Sequence, residues 1–77
     1  MLNMKIIGKT VRDERKEMGL RQDELAAAAG VGTRFIVDLE AGKETAEIGK
    51  VITVLSALGC ELEIKTPSGA MVIGRRA

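Results

Sequence analysis

The stretch Leu20-Arg-Gln-Asp-Glu-Leu-Ala-Ala-Ala-Ala-Gly-Val-Gly-Thr-Arg-Phe-Ile-Val-Asp-Leu-Glu40 decides how this chain is read. From Gln22 to Ala29 it has the composition of a short helix. Asp23 and Glu24 stand in the first turn, where carboxylates favour the positive end of the helix dipole. The run Ala26–Ala29 has high helix propensity, and Leu25, Ala26 and Ala29 make a narrow apolar face. Gly30 closes this helix, because glycine tolerates the positive φ of a sharp turn, and Val31 points inward after it. A second short helix is predicted from Thr33 to Ala41, with Gly32 at its N-cap and Gly42 at its end. Ile36 and Leu39, helped by Phe35, supply its buried stripe. Thr33, Arg34, Val37 and Asp38 are left on the other side.

Two short helices joined by a three-residue turn form a helix-turn-helix unit. Their steep crossing asks for a small residue at the contact, and Ala26 is there. With Val31, Ile36 and Leu39 anchored in the core, the far face of the second helix is free to enter a DNA major groove, which is wide enough for one helix.

Upstream, a first helix is predicted from about Ile6 to Met18, with Ile7, Val11 and Met18 on one stripe at near-helical spacing. Gly19 ends it and Leu20 follows as a plug into the core. Downstream, Thr45 is the predicted N-cap of a fourth helix, in which Ile48, Val51, Ile52, Leu55 and Leu58 recur with strong amphipathic spacing. After Gly59 the pattern changes. Cys60-Glu-Leu-Glu-Ile-Lys-Thr66 alternates apolar and polar residues with period two, the sign of a half-buried strand. Pro67-Ser-Gly69 is a turn signal, Ala70–Ile73 can return as a second strand, and Gly74–Ala77 reads as a loose basic tail. The chain divides into a DNA-binding unit over residues 1–59 and a dimerising strand and tail over residues 60–77.

That strand supports a physical argument of its own. A single strand leaves backbone donors and acceptors unpaired, and such an edge seeks a partner. Two copies around a two-fold axis can pair it antiparallel, with Leu55, Leu58, Leu62 and Ile64 as the dimer contacts. The two recognition helices then lie about 34 Å apart, one DNA turn, matching a palindrome. The length points the same way. A chain of 77 residues buries only about 60% of its unfolded surface and needs help to hold a core. One cysteine and no histidine exclude an internal disulfide and disfavour structural zinc, which leaves self-association.

Composition narrows the function. A makeup of 30% charged and 45% hydrophobic residues is that of a folded domain. A net charge of +1, from 12 basic and 11 acidic residues, argues against indiscriminate coating of nucleic acid and leaves room for a locally basic face. No export signal or apolar run of membrane-spanning length is readable, so a cytoplasmic protein without a membrane partner is expected. Gly8-Lys-Thr10 matches the end of a phosphate-binding loop, but the upstream glycine position holds Asn3 and no strand precedes it. Cys60 has no base to activate it, and no pair of carboxylates sits in a catalytic context. No enzyme activity, catalytic residue, metal or cofactor is expected.

Three segments together resemble the Cro/C1 (XRE) repressor family: Leu20-Arg-Gln-Asp-Glu-Leu-Ala26, Ala29-Gly-Val31 and Phe35-Ile-Val-Asp-Leu-Glu-Ala-Gly-Lys43. The ending Val51-Ile-Thr-Val-Leu-Ser-Ala-Leu-Gly-Cys-Glu-Leu-Glu-Ile64 is similar to that of HipB-like antitoxins. The resemblance implies a mostly α, lambda-repressor-like bundle of four to five helices. It also implies a C-terminal β-strand, single or returned as a hairpin, that pairs across a homodimer. It implies double-stranded operator DNA as ligand, repression of the protein's own operon, and a HipA-like kinase toxin as protein partner. On the same grounds Thr33, Arg34, Val37 and Asp38 match positions facing base edges. Arg21, Gln22, Gly32 and Lys43 match positions at the DNA backbone, and Arg15 and Glu40 match a structural salt bridge. Arg21 and Gly32 depart from the family's usual serine or threonine, which alters individual contacts and not the fold. The rival class is an interaction module that holds a protein partner, with DNA binding secondary or absent.

Overall fold

The computed structural model describes residues 1–73. Within them lie four helices and a hairpin: α1 (Met4–Glu17), α2 (Gln22–Ala29), α3 (Thr33–Glu40), α4 (Ile48–Ala57), β1 (Glu63–Lys65) and β2 (Met71–Ile73). The tail residues Gly74–Ala77, with Arg75 and Arg76, lie outside the described residues. No described helix is long and apolar enough to cross a membrane.

The α1 helix starts two residues earlier than its apolar stripe suggests. Asn3, in an extended conformation, accepts from the Ile6 N–H at 2.9 Å, which satisfies one of the orphan donors of the first turn. At the other end Gly19 adopts φ 71. The Gly19 N–H donates to the Lys16 carbonyl at 2.9 Å and the Leu20 N–H to the Arg15 carbonyl at 3.1 Å, the paired closure of a Schellman motif. Met18 is 52% exposed and does not join the buried stripe, because it already belongs to the helix cap.

The α2 and α3 helices are joined by Gly30-Val31-Gly32. Gly30 stands at φ 70, and the Val31 N–H returns to the Ala26 carbonyl at 3.0 Å. That turn drops the Val31 side chain against the core. Fully buried Leu25, Ile36, Leu39, Val11, Val51 and Val54 fill the centre, with Ala26, Ala29, Leu55 and Leu58 around them. Phe35, the one aromatic residue, is half-buried at the edge of this aliphatic core. The α3 helix packs on α1 and α2, and α2 packs on α4.

Two expectations for α4 are corrected. Its N-cap is Glu47, without a side-chain cap bond, and not Thr45, which is taken up in a turn between Gly42 and α4. Its buried face is Val51, Val54, Leu55 and Leu58, whereas Ile48 and Ile52 are 59% and 41% exposed. The helix is apolar over most of its circumference, and its principal helical neighbour is α2, so the strip that carries Ile48 and Ile52 stays exposed among the described residues.

The alternating segment forms a hairpin. β1 and β2 run antiparallel with Glu63 opposite Ile73, Ile64 opposite Val72 and Lys65 opposite Met71. Thr66 organises the turn: its N–H donates to the Ala70 carbonyl at 3.0 Å, and its hydroxyl accepts from the Ala70 N–H at 3.1 Å. All three residues of β1 are exposed, so the strand is shorter and less covered than the period-two pattern implied.

Gly8 explains the fragment that superficially resembled a phosphate loop. It is buried where α1 crosses the end of α3, and an added Cβ would sit 2.2 Å from the Leu39 carbonyl oxygen. Gly8→Ala gains about 1 kcal/mol in helix propensity, but the backbone of α3 cannot yield as a side chain can. Overpacking of this kind costs about 1–3 kcal/mol and sometimes more. A net destabilisation by urea denaturation is expected; a stabilised Gly8→Ala protein would contradict the close crossing.

Candidate nucleic-acid interface

The orientation of α3 is set by what it buries. Ile36 and Leu39 have no exposed surface, and at helical spacing this turns Thr33, Arg34, Val37 and Asp38 away from the core. Thr33 and Arg34 are exposed and Val37 is half-buried. The Arg34 side chain is 84% accessible and that of Asp38 is 26%. The four residues matched to base-edge positions thus share one face. Asp38 is not free within it: its Oδ1 lies 3.2 Å from Arg34 Nε and its Oδ2 3.6 Å from Lys43 Nζ.

The residues matched to the DNA backbone divide into two pairs. Gly32, exposed, is the N-cap of α3, and Lys43 follows α3 by one turn, brought back by the Lys43 N–H to Asp38 carbonyl bond of 3.0 Å. Arg21 and Gln22 begin α2. The guanidinium of Arg21 faces its own helix, with Nε 3.1 Å from Asp23 Oδ1 and 3.9 Å from Glu24 Oε1. The hydrogen bond to Asp23 raises the Arg21 pKa and lowers that of Asp23. The Arg21 backbone N–H donates to Glu24 Oε1 at 2.8 Å, one half of a capping box; a guanidinium has no acceptor for the other half.

Gln22 is half-buried and donates from Nε2 to Glu40 Oε1 at 3.2 Å. Glu40 also receives Arg15, whose Nε donates to Oε2 at 2.6 Å and Nη2 to Oε1 at 3.0 Å. Arg15 Nη1 donates to the Leu20 carbonyl at 2.8 Å. The two charged side chains are only 10% and 5% exposed. The Glu40 hydrogen bond raises the Arg15 pKa, against the lowering by burial. One carboxylate therefore joins α1, the start of α2 and the end of α3. Leu20 contributes here through its carbonyl, where a side-chain plug was expected.

Lys50 on α4 lies 5.8 Å from the centroid of the Phe35 ring and 3.5 Å from Glu47 Oε2, so it covers the wet side of the ring. Nothing in a separation of fifteen residues signals this. Of the proposed dimer contacts, Leu55 and Leu58 are 6% and 7% exposed and serve the chain's own core, leaving little surface for a second copy. Leu62 is half-buried and Ile64 is 55% exposed. Cys60 is half-buried; burial, aided by the charge of Glu14, pushes its thiol pKa up, which suppresses the thiolate a nucleophile needs.

A helix pair with this turn, and a second helix with one anchored and one open face, is matched by a family model described as Helix-turn-helix over residues 11–65. A protein of Sinorhizobium fredii named "Uncharacterized HTH-type transcriptional regulator y4mF" is 67% identical over 61 residues, covering 79% of this chain and 80% of its own. An HTH-type transcriptional regulator of Methanothermobacter thermautotrophicus is 39% identical over 51 residues, 66% of this chain and 74% of its own. A second Sinorhizobium fredii regulator, y4dJ, is 29% identical over 73 residues, 94% and 95% of the two chains. The chain belongs to this helix-turn-helix family.

Removing one side of a buried ion pair strands the other. Arg15→Met leaves the Glu40 carboxylate with Gln22 alone and is expected to cost about 3–5 kcal/mol in urea denaturation. Arg15→Met combined with Glu40→Leu should recover much of that loss, because desolvation of both charges is removed. A single variant within about 1 kcal/mol of the parent, the range of an exposed pair, would contradict the burial of this bridge.

Proposed function

We propose that this protein is a sequence-specific DNA-binding transcriptional repressor that acts as a homodimer on a palindromic operator, and that it is the antitoxin of a type II toxin–antitoxin operon. One observation carries the DNA-binding part. Ile36 and Leu39 are wholly buried while Thr33 and Arg34, on the same two turns, are exposed. The α3 helix is thus held rigidly from one side and offers the other. Arg34 is the main base reader: arginine bidentate to guanine O6 and N7 is the commonest specific pairing, worth about 1–3 kcal/mol of discrimination. Thr33 and Val37 flank it, Val37 suited to a thymine methyl. Gln22, Gly32 and Lys43 hold phosphates and set the register. Arg21 joins them by exchanging Asp23 for a phosphate; an exposed ion pair is worth about 0–1 kcal/mol, so the exchange costs little. The bound dimer excludes polymerase by occupancy.

The dimer reading is supported by the hairpin. A two-stranded hairpin alone is marginal in water, and β1 is exposed along its length with one edge unpaired by β2. Antiparallel pairing of β1 with its copy gives a four-stranded sheet and covers Ile64. The antitoxin role rests on the similarity of Val51–Ile64 to HipB-like endings. Its test is co-purification with the kinase-like product of an adjacent gene. Complex formation without any binding to upstream DNA, with or without residues 67–77, would instead favour a pure interaction module.

In a binding-site selection, Arg34→Ala should relax preference at one base pair per half-site; an unchanged preference would remove Arg34 from base reading. Lys43→Ala should weaken all sequences alike and flatten the salt dependence by about one unit per chain. A parental salt slope would take Lys43 off the phosphate contacts. Ile64→Lys should shift the protein from dimer to monomer in light scattering, with the helical content kept; an unchanged dimer would exclude this strand from the interface.

A further inference from the structure

We infer that Arg12 is a ligand for a DNA phosphate, and that the interface extends from Gln22 onto the adjoining flank of α1. The inference rests on the proposed DNA-binding role of α3 and widens its footprint. Charge on α1 is sorted by side. Lys5, Lys9, Arg12 and Lys16, all exposed, recur at i, i+4, i+7 and i+11, which places them on one flank of the helix. The acids of α1, Asp13, Glu14 and Glu17, fall off that line. The basic flank adjoins the buried one, where Gly8 meets the Leu39 and Glu40 carbonyls and Arg15 meets Glu40. It therefore runs beside the end of α3.

Three of these four cations have a place within the chain. Lys9 Nζ donates to Asp13 Oδ2. Lys16 stands in the last turn of α1, where a cation favours the negative end of the helix dipole. The Lys5 stem lies against Gly42, so close that an added Cβ there would stand 3.1 Å from its Cγ. Arg12 has no such place: among the described residues no ion pair or hydrogen bond uses its side chain. The Lys9 hydrogen bond leads in lowering the Asp13 pKa, and Arg12 adds only its charge. With Arg15, Gln22, Glu40 and Ala41 it lines an open cleft. Inside that cleft Arg15 and Glu40 cancel, since the guanidinium donates through Nε, Nη1 and Nη2 and the carboxylate accepts on both oxygens. Gln22 Nε2 carries two hydrogens, and among the described residues its one hydrogen bond is to Glu40. What remains is an uncompensated guanidinium beside an amide donor. That pair suits a single anionic group, and the fork of arginine matches phosphate oxygens. The phosphodiester is the anion that a duplex seated on α3 brings to this edge.

The test uses the full chain and the duplex recovered by binding-site selection, comparing the parent, Arg12→Gln, Arg12→Lys and Gln22→Ala. Arg12→Gln should bind about tenfold more weakly, the scale of one charge-assisted hydrogen bond, with base preference unchanged. Its salt dependence should flatten by about one unit per chain, whereas Arg12→Lys should keep the parental slope. Duplexes carrying one neutral methylphosphonate each locate the contact. In each half-site, one replacement beside the phosphate that Gln22→Ala loses should weaken the parent and leave Arg12→Gln unaffected. Urea midpoints of the Arg12 variants should match the parent, separating binding from folding. Three results overturn the inference. Arg12→Gln with the parental affinity and slope would remove Arg12 from the interface. A loss spread evenly over all replaced phosphates would mark a mere change of net charge. A lowered urea midpoint would mark a structural role. If the parent itself selects no duplex, the DNA-binding role falls and this inference with it; a parent that binds and is matched by Arg12→Gln brings down the inference alone.

Discussion

The Glu40 carboxylate, 5% exposed, collects Arg15 from α1 and Gln22 from α2 at the end of α3. The geometry of the recognition unit follows from it. Hydrophobic contact alone positions a helix loosely, because burial is non-directional; a bidentate guanidinium–carboxylate pair has one good geometry. Ile36 and Leu39 press α3 onto the core, and Glu40 fixes where along the core it sits. Gly8 lets the two backbones meet closely enough for this. Among the described residues no buried side-chain polar atom lacks a partner, so the buried charges of this network are all hydrogen-bonded.

The arrangement also separates two kinds of charge. Arg15 and Glu40 are buried, paired and structural. Arg21, Arg34 and Lys43 are exposed and paired only with neighbouring acids on the same surface. Exposed pairs exchange partners at small cost, and buried pairs do not. The near-neutral charge of the chain therefore does not oppose DNA binding. On the proposed reading, the surface cations stay compensated by neighbouring acids until phosphates replace those acids, which restrains non-specific affinity.

Much of this was readable from local signals. The α2 boundaries followed from Asp23 and Glu24 at one end and Gly30 at the other, and the turn into α3 from Gly30 and Gly32. The start of α1 was missed because Asn3, a good cap, precedes a run too apolar to mark a boundary. The start of α4 was misplaced because Thr45 suits a cap and a turn equally, and the turn claimed it. Ile48 and Ile52 read as core because α4 is apolar on most sides, and periodicity cannot say which strip meets a neighbour. In the site, the Arg34–Asp38 spacing is visible in sequence, but the approach of Lys43 depends on the chain reversal at Gly42. The Arg15–Glu40 contact spans 25 residues and was legible only through family resemblance, since nothing local brings those side chains together.

We propose that DNA binds at the open face of α3, with the flanking residues Arg21, Gln22 and Lys43. Backbone amide shifts of the labelled protein titrated with its own upstream duplex test it directly. The largest changes should fall at Gln22, Gly32, Thr33, Arg34 and Lys43, while Ile52, Ile64 and Thr66 barely move. Changes concentrated on α4 and the hairpin, with Thr33 and Arg34 unperturbed, would contradict it.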